Sequence, residues 1–127
     1  MSAHRTPHDV MELIKNSEDN GCQVFIAAAG MAAHLAGAVA AHSSKPVIGI
    51  PIESGGMGGI DALLSTAMMP PGVPVATVAV GKSGAKNSAI LAVQILATSD
   101  EDLSAKLREF KENMRKEVLE KDQKLNS

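Results

Sequence analysis

Tryptophan and tyrosine are absent from this chain, phenylalanine occurs twice and cysteine once. Without large rings, the core must be built from Ala, Val, Ile, Leu and Met. Such a core is thin, and its small side chains let helices and strands approach closely. That pattern suits a protein that buries further surface between subunits. A single thiol, Cys22, excludes an internal disulfide. No secretory segment precedes Met1, so a reducing cytoplasm is the expected compartment. Cys22 opens an apolar run between Gly21 and Gln23, and it is expected as a buried, inert thiol. Long apolar runs are lacking too. Gly, His, Ser and Pro interrupt each one before it reaches the length of a membrane span. An excess of positive charge is also missing. The formal net charge is −2, so no basic surface recommends nucleic acid as a partner. The 127 residues suffice for one domain with a modest core. No linker, repeat or low-complexity segment divides them. The expectation is a single domain over 1–127, with an α/β core over 1–98 and a C-terminal helix over 99–127.

Thr6, Pro7 and Asp9 mark a helix start, with Thr as N-cap, Pro at the first position and Asp in the first turn. Val10, Leu13 and Ile14 supply its apolar face, and Asn20-Gly21 ends it. Gln23 to Ala28 reads as a buried strand that Gly30 breaks. Met31 to Ala41 reads as an Ala-rich helix stopped by Lys45-Pro46. Val47 to Ile52 is a second strand, and the glycines of Ser54 to Gly59 form a loop. Asp61 caps a helix running to about Met69, with Met68 and Met69 expected in the core. Val73 to Val80 is a third strand, Gly81 to Gly84 a loop and Ala85 to Ala97 a helix. Ser99 with Asp102 starts a last long helix. Its stripe of Leu103, Leu107, Phe110, Met114 and Val118 suits either its own domain or a neighbouring subunit. Strands that alternate with helices, apolar without a period of two, indicate a parallel sheet covered on both faces.

Ligands bind such sheets at the carboxyl ends of the strands. Four stretches fall there: Ser2 to Arg5, Gly30 to His34, Ser54 to Gly59 and Gly81 to Asn87. The first is the richest. Arg5 offers a forked cationic donor for a phosphate. The helix start behind it offers unpaired N–H groups. His4 can carry a proton near neutral pH. His34 follows a glycine and a strand end, which favours a site role over helix packing. His8 is expected at the surface and His42 against the end of its own helix. Four histidines without Cys or carboxylate partners at ligand spacing give no metal site. Gly81-Lys82-Ser83-Gly84 lacks the spacing of a nucleotide-binding P-loop, and no Gly-x-Gly-x-x-Gly follows a strand.

These residues also form a recognisable pattern. Ser2-Ala3-His4-Arg5-Thr6-Pro7, Ala29-Gly30-Met31-Ala32-Ala33-His34-Leu35, Pro46-Val47-Ile48-Gly49-Ile50-Pro51 and Pro74-Val75-Ala76-Thr77-Val78-Ala79 carry it. Gly59-x-Asp61-x-Leu63-Leu64-Ser65 and Ala85-x-Asn87 fit as well. The chain resembles the bacterial class I N5-carboxyaminoimidazole ribonucleotide mutases of purine biosynthesis. The resemblance implies a flavodoxin-like three-layer fold, a homo-octamer, a ribotide substrate and no metal or organic cofactor. It implies transfer of a carboxylate from the ring-attached amine to a ring carbon, giving 4-carboxyaminoimidazole ribonucleotide. His4 and His34 become the catalytic pair, with His4 as the acid–base group. Ser2 and Arg5 hold the phosphate, Ala29, Gly30 and His34 line the carboxylate pocket, and Leu35 joins the substrate-binding set. The glycines around Gly56 let a loop close over the site. Family members begin with an apolar strand, a Gly-Ser-x-Ser-Asp loop, a helix and a second strand ahead of Ser-Ala-His-Arg. This sequence lacks the first strand–helix unit and most of the second strand, so a shortened sheet with an unpaired edge is expected. Met31, Ala36 and Met68 replace the usual Gly, Pro and Gln. Two other readings stand beside the mutase: a carboxylase of aminoimidazole ribonucleotide that uses free carbon dioxide, and a non-catalytic assembly subunit.

Overall fold

The structure is a computed structural model and describes residues 1–126. It divides into two compact units, Met1–Ala92 and a second beginning at Val93. The first unit opens with helix α1 (Pro7–Asp19), followed by strand β1 (Phe25–Gly30) and helix α2 (His34–His42). Strand β2 (Val47–Ile52), helix α3 (Ile60–Ala67) and strand β3 (Ala76–Thr77) come next. Helix α4 (Lys82–Ala97) begins in this unit, and helix α5 (Glu101–Leu125) lies in the second.

The three strands form one parallel sheet in the order β1-β2-β3. Parallel neighbours need a crossover, which α2 and α3 supply. Phe25 stands opposite Val47 and Gly30 opposite Ile52, so β1 and β2 finish level with each other. Five consecutive residues of β2 are buried. Successive side chains point to opposite faces of a strand, so both faces of β2 are covered, as in an α/β layered fold of the flavodoxin kind. β1 differs. It pairs with β2 alone among the described residues, and Ile26 and Ala28 on one of its faces are exposed.

The main core joins Val10 and Ile14 of α1, Ala36 and Val39 of α2, Ala27 of β1 and Val47 of β2. Phe25, Leu35, Ala40 and Val75 pack against it. Small residues make this possible. A Cβ at Gly49 would lie 2.4 Å from the Thr66 methyl, 2.9 Å from Val75 Cγ1 and 3.2 Å from Ala36 Cβ. The absent side chain is what lets α2 and α3 sit on β2 together.

The structure corrects several sequence expectations. Leu13 is half exposed, because Val10 and Ile14 alone make the buried stripe of α1. The third strand shrinks from Val73–Val80 to two residues. Pro74 has no N–H to give, Val73 N–H turns back to the Pro70 carbonyl, and beyond Thr77 only single bonds reach β2, from Val78 to Gly49 and from Gly81 to Pro51. Helix α2 starts at His34 instead of Met31, because Met31 and Ala33 take left-handed backbone angles, φ 55° and 39°. Gly30 completes β1 instead of breaking it. Gly59, not Asp61, is the N-cap residue of α3, and α3 ends at Ala67. Met68 is therefore 78 % exposed and not core, while Met69 packs on Gly37. Lys82, Ser83 and Gly84 belong to α4 and not to a loop. Asp100, not Ser99, caps α5 by accepting the Leu103 N–H at 3.0 Å. Cys22 is half-buried, with its thiol on the Val24 carbonyl at 3.3 Å. His8 is exposed as expected, and His42 bonds the Ala38 carbonyl in the last turn of its own helix at 2.8 Å.

Candidate functional site

Ser2 and Thr6 close the turn that displays His4 and Arg5. The Thr6 hydroxyl accepts from Ser2 N–H at 2.9 Å and donates to the Ser2 carbonyl at 3.0 Å. Thr6 N–H bonds the same carbonyl at 2.9 Å. Thr6 therefore occupies the N-cap position without capping α1 through its side chain, because its hydroxyl is spent on this turn. Ser2 Oγ accepts the Arg5 N–H at 3.3 Å and keeps its own O–H to donate. The turn holds the backbone of residues 2–6 and leaves the His4 and Arg5 side chains exposed. Arg5 has no carboxylate partner among the described residues, so its guanidinium is available to an anion.

The second wall is the turn after β1. Ala33 N–H bonds the Gly30 carbonyl at 2.9 Å, and the left-handed Met31 and Ala33 aim the chain back across the end of the strand. Non-glycine residues in this region cost on the order of 1–3 kcal/mol each and concentrate at functional sites. Gly30 is required by contact. A Cβ there would fall 1.9 Å from Ser54 Oγ and 3.0 Å from the Ile52 carbonyl oxygen. Helix α2 then begins with no side-chain cap, leaving the first N–H groups of a helix start open to an anion.

The two walls meet at their histidines. His4 Nε2 and His34 Nδ1 share a hydrogen bond. Their ring centroids are 4.5 Å apart and their planes stand at 89°. One of those nitrogens must carry the proton and the other accept it, so the pair is a ready path for a proton. Ser2, His4, Arg5, Ala29, Gly30, His34 and Leu35 all line one open cavity of about 400 Å³. Met1, Ala3, Ala28, Met31, Ala32 and Ala33 complete the lining.

The other two stretches expected at this rim do not line the cavity. Ser54 lies behind Gly30 instead, and the Gly81–Asn87 stretch belongs to the start of α4. The left-handed turn at Met31 and Ala33 has no sequence signal, because neither residue is glycine. The Ser2–Thr6 closure has a weak one, two hydroxyl residues four apart across a turn. The direct contact of two histidines separated by 30 positions has no sequence signature. No group of three or more His, Cys, Asp and Glu suited to a metal ion occurs among the described residues.

The fold and the site together define a class: a layered α/β protein with an imidazole pair and a free guanidinium over an open pocket at the carboxyl end of a parallel strand. The AIR carboxylase family model matches residues 1–117, and the chain belongs to that family. It is 48% identical over 120 residues to the N5-carboxyaminoimidazole ribonucleotide mutase of Escherichia coli strain K12, an overlap of 94% of this chain and 71% of the relative. It is 50% identical over 125 residues to the enzyme of that name from Bacillus subtilis, covering 98% and 77%. With the one from Saccharolobus solfataricus it shares 53% over 119 residues, covering 94% and 74%.

Proposed function

We propose that this chain catalyses the carboxylate transfer of purine biosynthesis that converts N5-carboxyaminoimidazole ribonucleotide to its 4-carboxy isomer. Relatives named as mutases at about half identity favour that reaction over carboxylation by free carbon dioxide. The observation that carries the reading is the shared hydrogen bond of His4 and His34 in the cavity that Arg5 enters.

The chemistry follows from the groups present. The N–carboxylate bond of the substrate breaks, and the amine nitrogen gains a proton from His4. Carbon dioxide stays beside the ring, held by N–H groups at the start of α2 and by exclusion of water. The neighbouring ring carbon attacks it, forming the new carbon–carbon bond, and the proton of that carbon goes back to His4. The proton given and the proton taken balance. His34 fixes the orientation of the His4 ring and can accept or return its proton. Ser2 and Arg5 grip the phosphate, Ala29 and Gly30 border the carboxylate, and Leu35 contacts the ring. No helix among the described residues is long and apolar enough to cross a membrane. The reading places the chain in the cytoplasm as a homo-oligomer, an octamer on the family pattern.

Turnover tests the reading. The chain, given the N-carboxylated ribotide in bicarbonate-free buffer, is expected to form the 4-carboxy product without a nucleotide or added metal. Product that appears only with bicarbonate and the uncarboxylated ribotide would reassign the chain as a carboxylase. No product in either mixture would leave the assembly subunit.

A further inference from the structure

Asp61 holds a position that the reaction described above does not use. It lies in the first turn of α3. Its Oδ1 is sealed from solvent and has no hydrogen-bond partner among the described residues. Its Oδ2 lies 2.8 Å from the point where a Cβ on Gly55 would stand, and Met31 Cγ lies 3.4 Å from the same point. The Asp61 carboxylate and the Met31 side chain thus come together in the space that a Gly55 side chain would fill. One residue earlier, Ser54 Oγ occupies the space where Gly30 would carry a Cβ. Residues 54 and 55 therefore pack along residues 30 and 31 without lining the cavity. The left-handed turn leads through Ala33 directly into His34.

A buried carboxylate oxygen without a donor is rare in native structures and calls for a physical reason. Non-glycine residues at φ 55° and 39° also persist only where neighbours over-determine them. The other oxygen of the same carboxylate and the left-handed Met31 meet over Gly55. We propose that Asp61 is a positioning residue. Its carboxylate stands against Met31 over the open side of Gly55, holds the turn in its left-handed form and so fixes the His34 ring against His4. It rests on the reading of those two histidines as the working pair, but its decisive readout needs no turnover.

The test compares Asp61→Ala, Asp61→Asn, Gly55→Ala and the double variant Asp61→Ala/Gly55→Ala, each in the whole chain. Gly55→Ala is informative because residue 55 is exposed and its backbone is not left-handed. The new methyl has room only by pushing the carboxylate away. Imidazole nitrogen resonances, with His4 and His34 labelled, report one donor and one acceptor nitrogen sharing a bond. The bond signature is expected in the parent and in Asp61→Asn, which keeps a planar group of the same size. It is expected to vanish in Asp61→Ala and in Gly55→Ala, with circular dichroism unchanged. The double variant is expected to be no worse than either single one, because both remove the same contact. Where the parent turns over the ribotide, kcat falls in both alanine variants by roughly ten- to a hundredfold while KM stays within about twofold. A bond signature unchanged in folded Asp61→Ala and Gly55→Ala overturns the proposal. So does additive damage in the double variant. A parent with no turnover but with these spectral results defeats the assigned reaction and leaves the positioning role standing.

Discussion

Three neighbours leave His4 little choice. The Ser2–Thr6 closure holds its backbone, His34 takes one of its ring nitrogens, and the proposed reaction draws on the other nitrogen. His4→Asn keeps a polar side chain but cannot shuttle a proton, and it is expected to lower kcat by about 10²–10⁴-fold in a steady-state assay. Arg5→Lys keeps the charge and loses the fork. It is expected to raise KM for the ribotide by roughly tenfold with kcat little changed, because a point charge replaces a bidentate grip. Gly30→Ala drives a methyl into Ser54, an overpacking cost of about 1–3 kcal/mol that a thermal melt reads as a lower midpoint. Pairing it with Ser54→Gly is expected to recover most of that loss. If the pair melts no higher than Gly30→Ala alone, the contact with Ser54 is not the reason for the glycine.

The residues themselves were legible at this scale. Ser2, His4, Arg5, Gly30 and His34 stand out by type and by their place at strand and helix ends. Their contacts were not legible. Nothing in a sequence says that two imidazoles 30 positions apart will touch, because that depends on the left-handed turn at Met31 and Ala33. Alanine and methionine carry no mark of such a turn.

Elements obeyed the sequence where hydrophobic pattern and breakers agreed. β2 runs over Val47–Ile52 as expected, bounded by Pro46 and Glu53 and buried on both faces. Boundaries moved where a single backbone torsion or a missing N–H decided the outcome. Ala33 delays α2, and Pro74 cuts the third strand short. Element packing in turn depends on Gly49, a point where α2, α3 and Val75 converge on β2. Gly49→Ala is expected to lower stability by about 1–3 kcal/mol, measured as a shift of the denaturant midpoint at unchanged slope. An unchanged midpoint would mean that Thr66 and Val75 can give way, and that close approach is not what the glycine provides. α5 needs no such contact for its start, since Asp100 caps it.

At the scale of the molecule, the scarcity of large side chains suits a thin core, and the largest fully buried side chains among the described residues are Ile48, Pro51 and Ser88. α5 has no buried residue, and Phe110, Met114 and Val118 of its stripe are exposed. A second copy of the chain is the occupant that the homo-oligomer reading assigns to this stripe. Leu107→Ser with Phe110→Ser is then expected to yield smaller species by sedimentation velocity. An unchanged oligomer would remove the stripe from the assembly.

In the proposed reaction His4 moves a proton while the carboxylate stays within the pocket. Its direct test starts from substrate whose N-carboxylate carries carbon-13, in buffer with unlabelled bicarbonate. The chain is expected to deliver the label to the 4-carboxylate of the product, and His4→Asn to deliver none above the spontaneous rate. Product carrying unlabelled carboxylate, or equal transfer by His4→Asn, would contradict it.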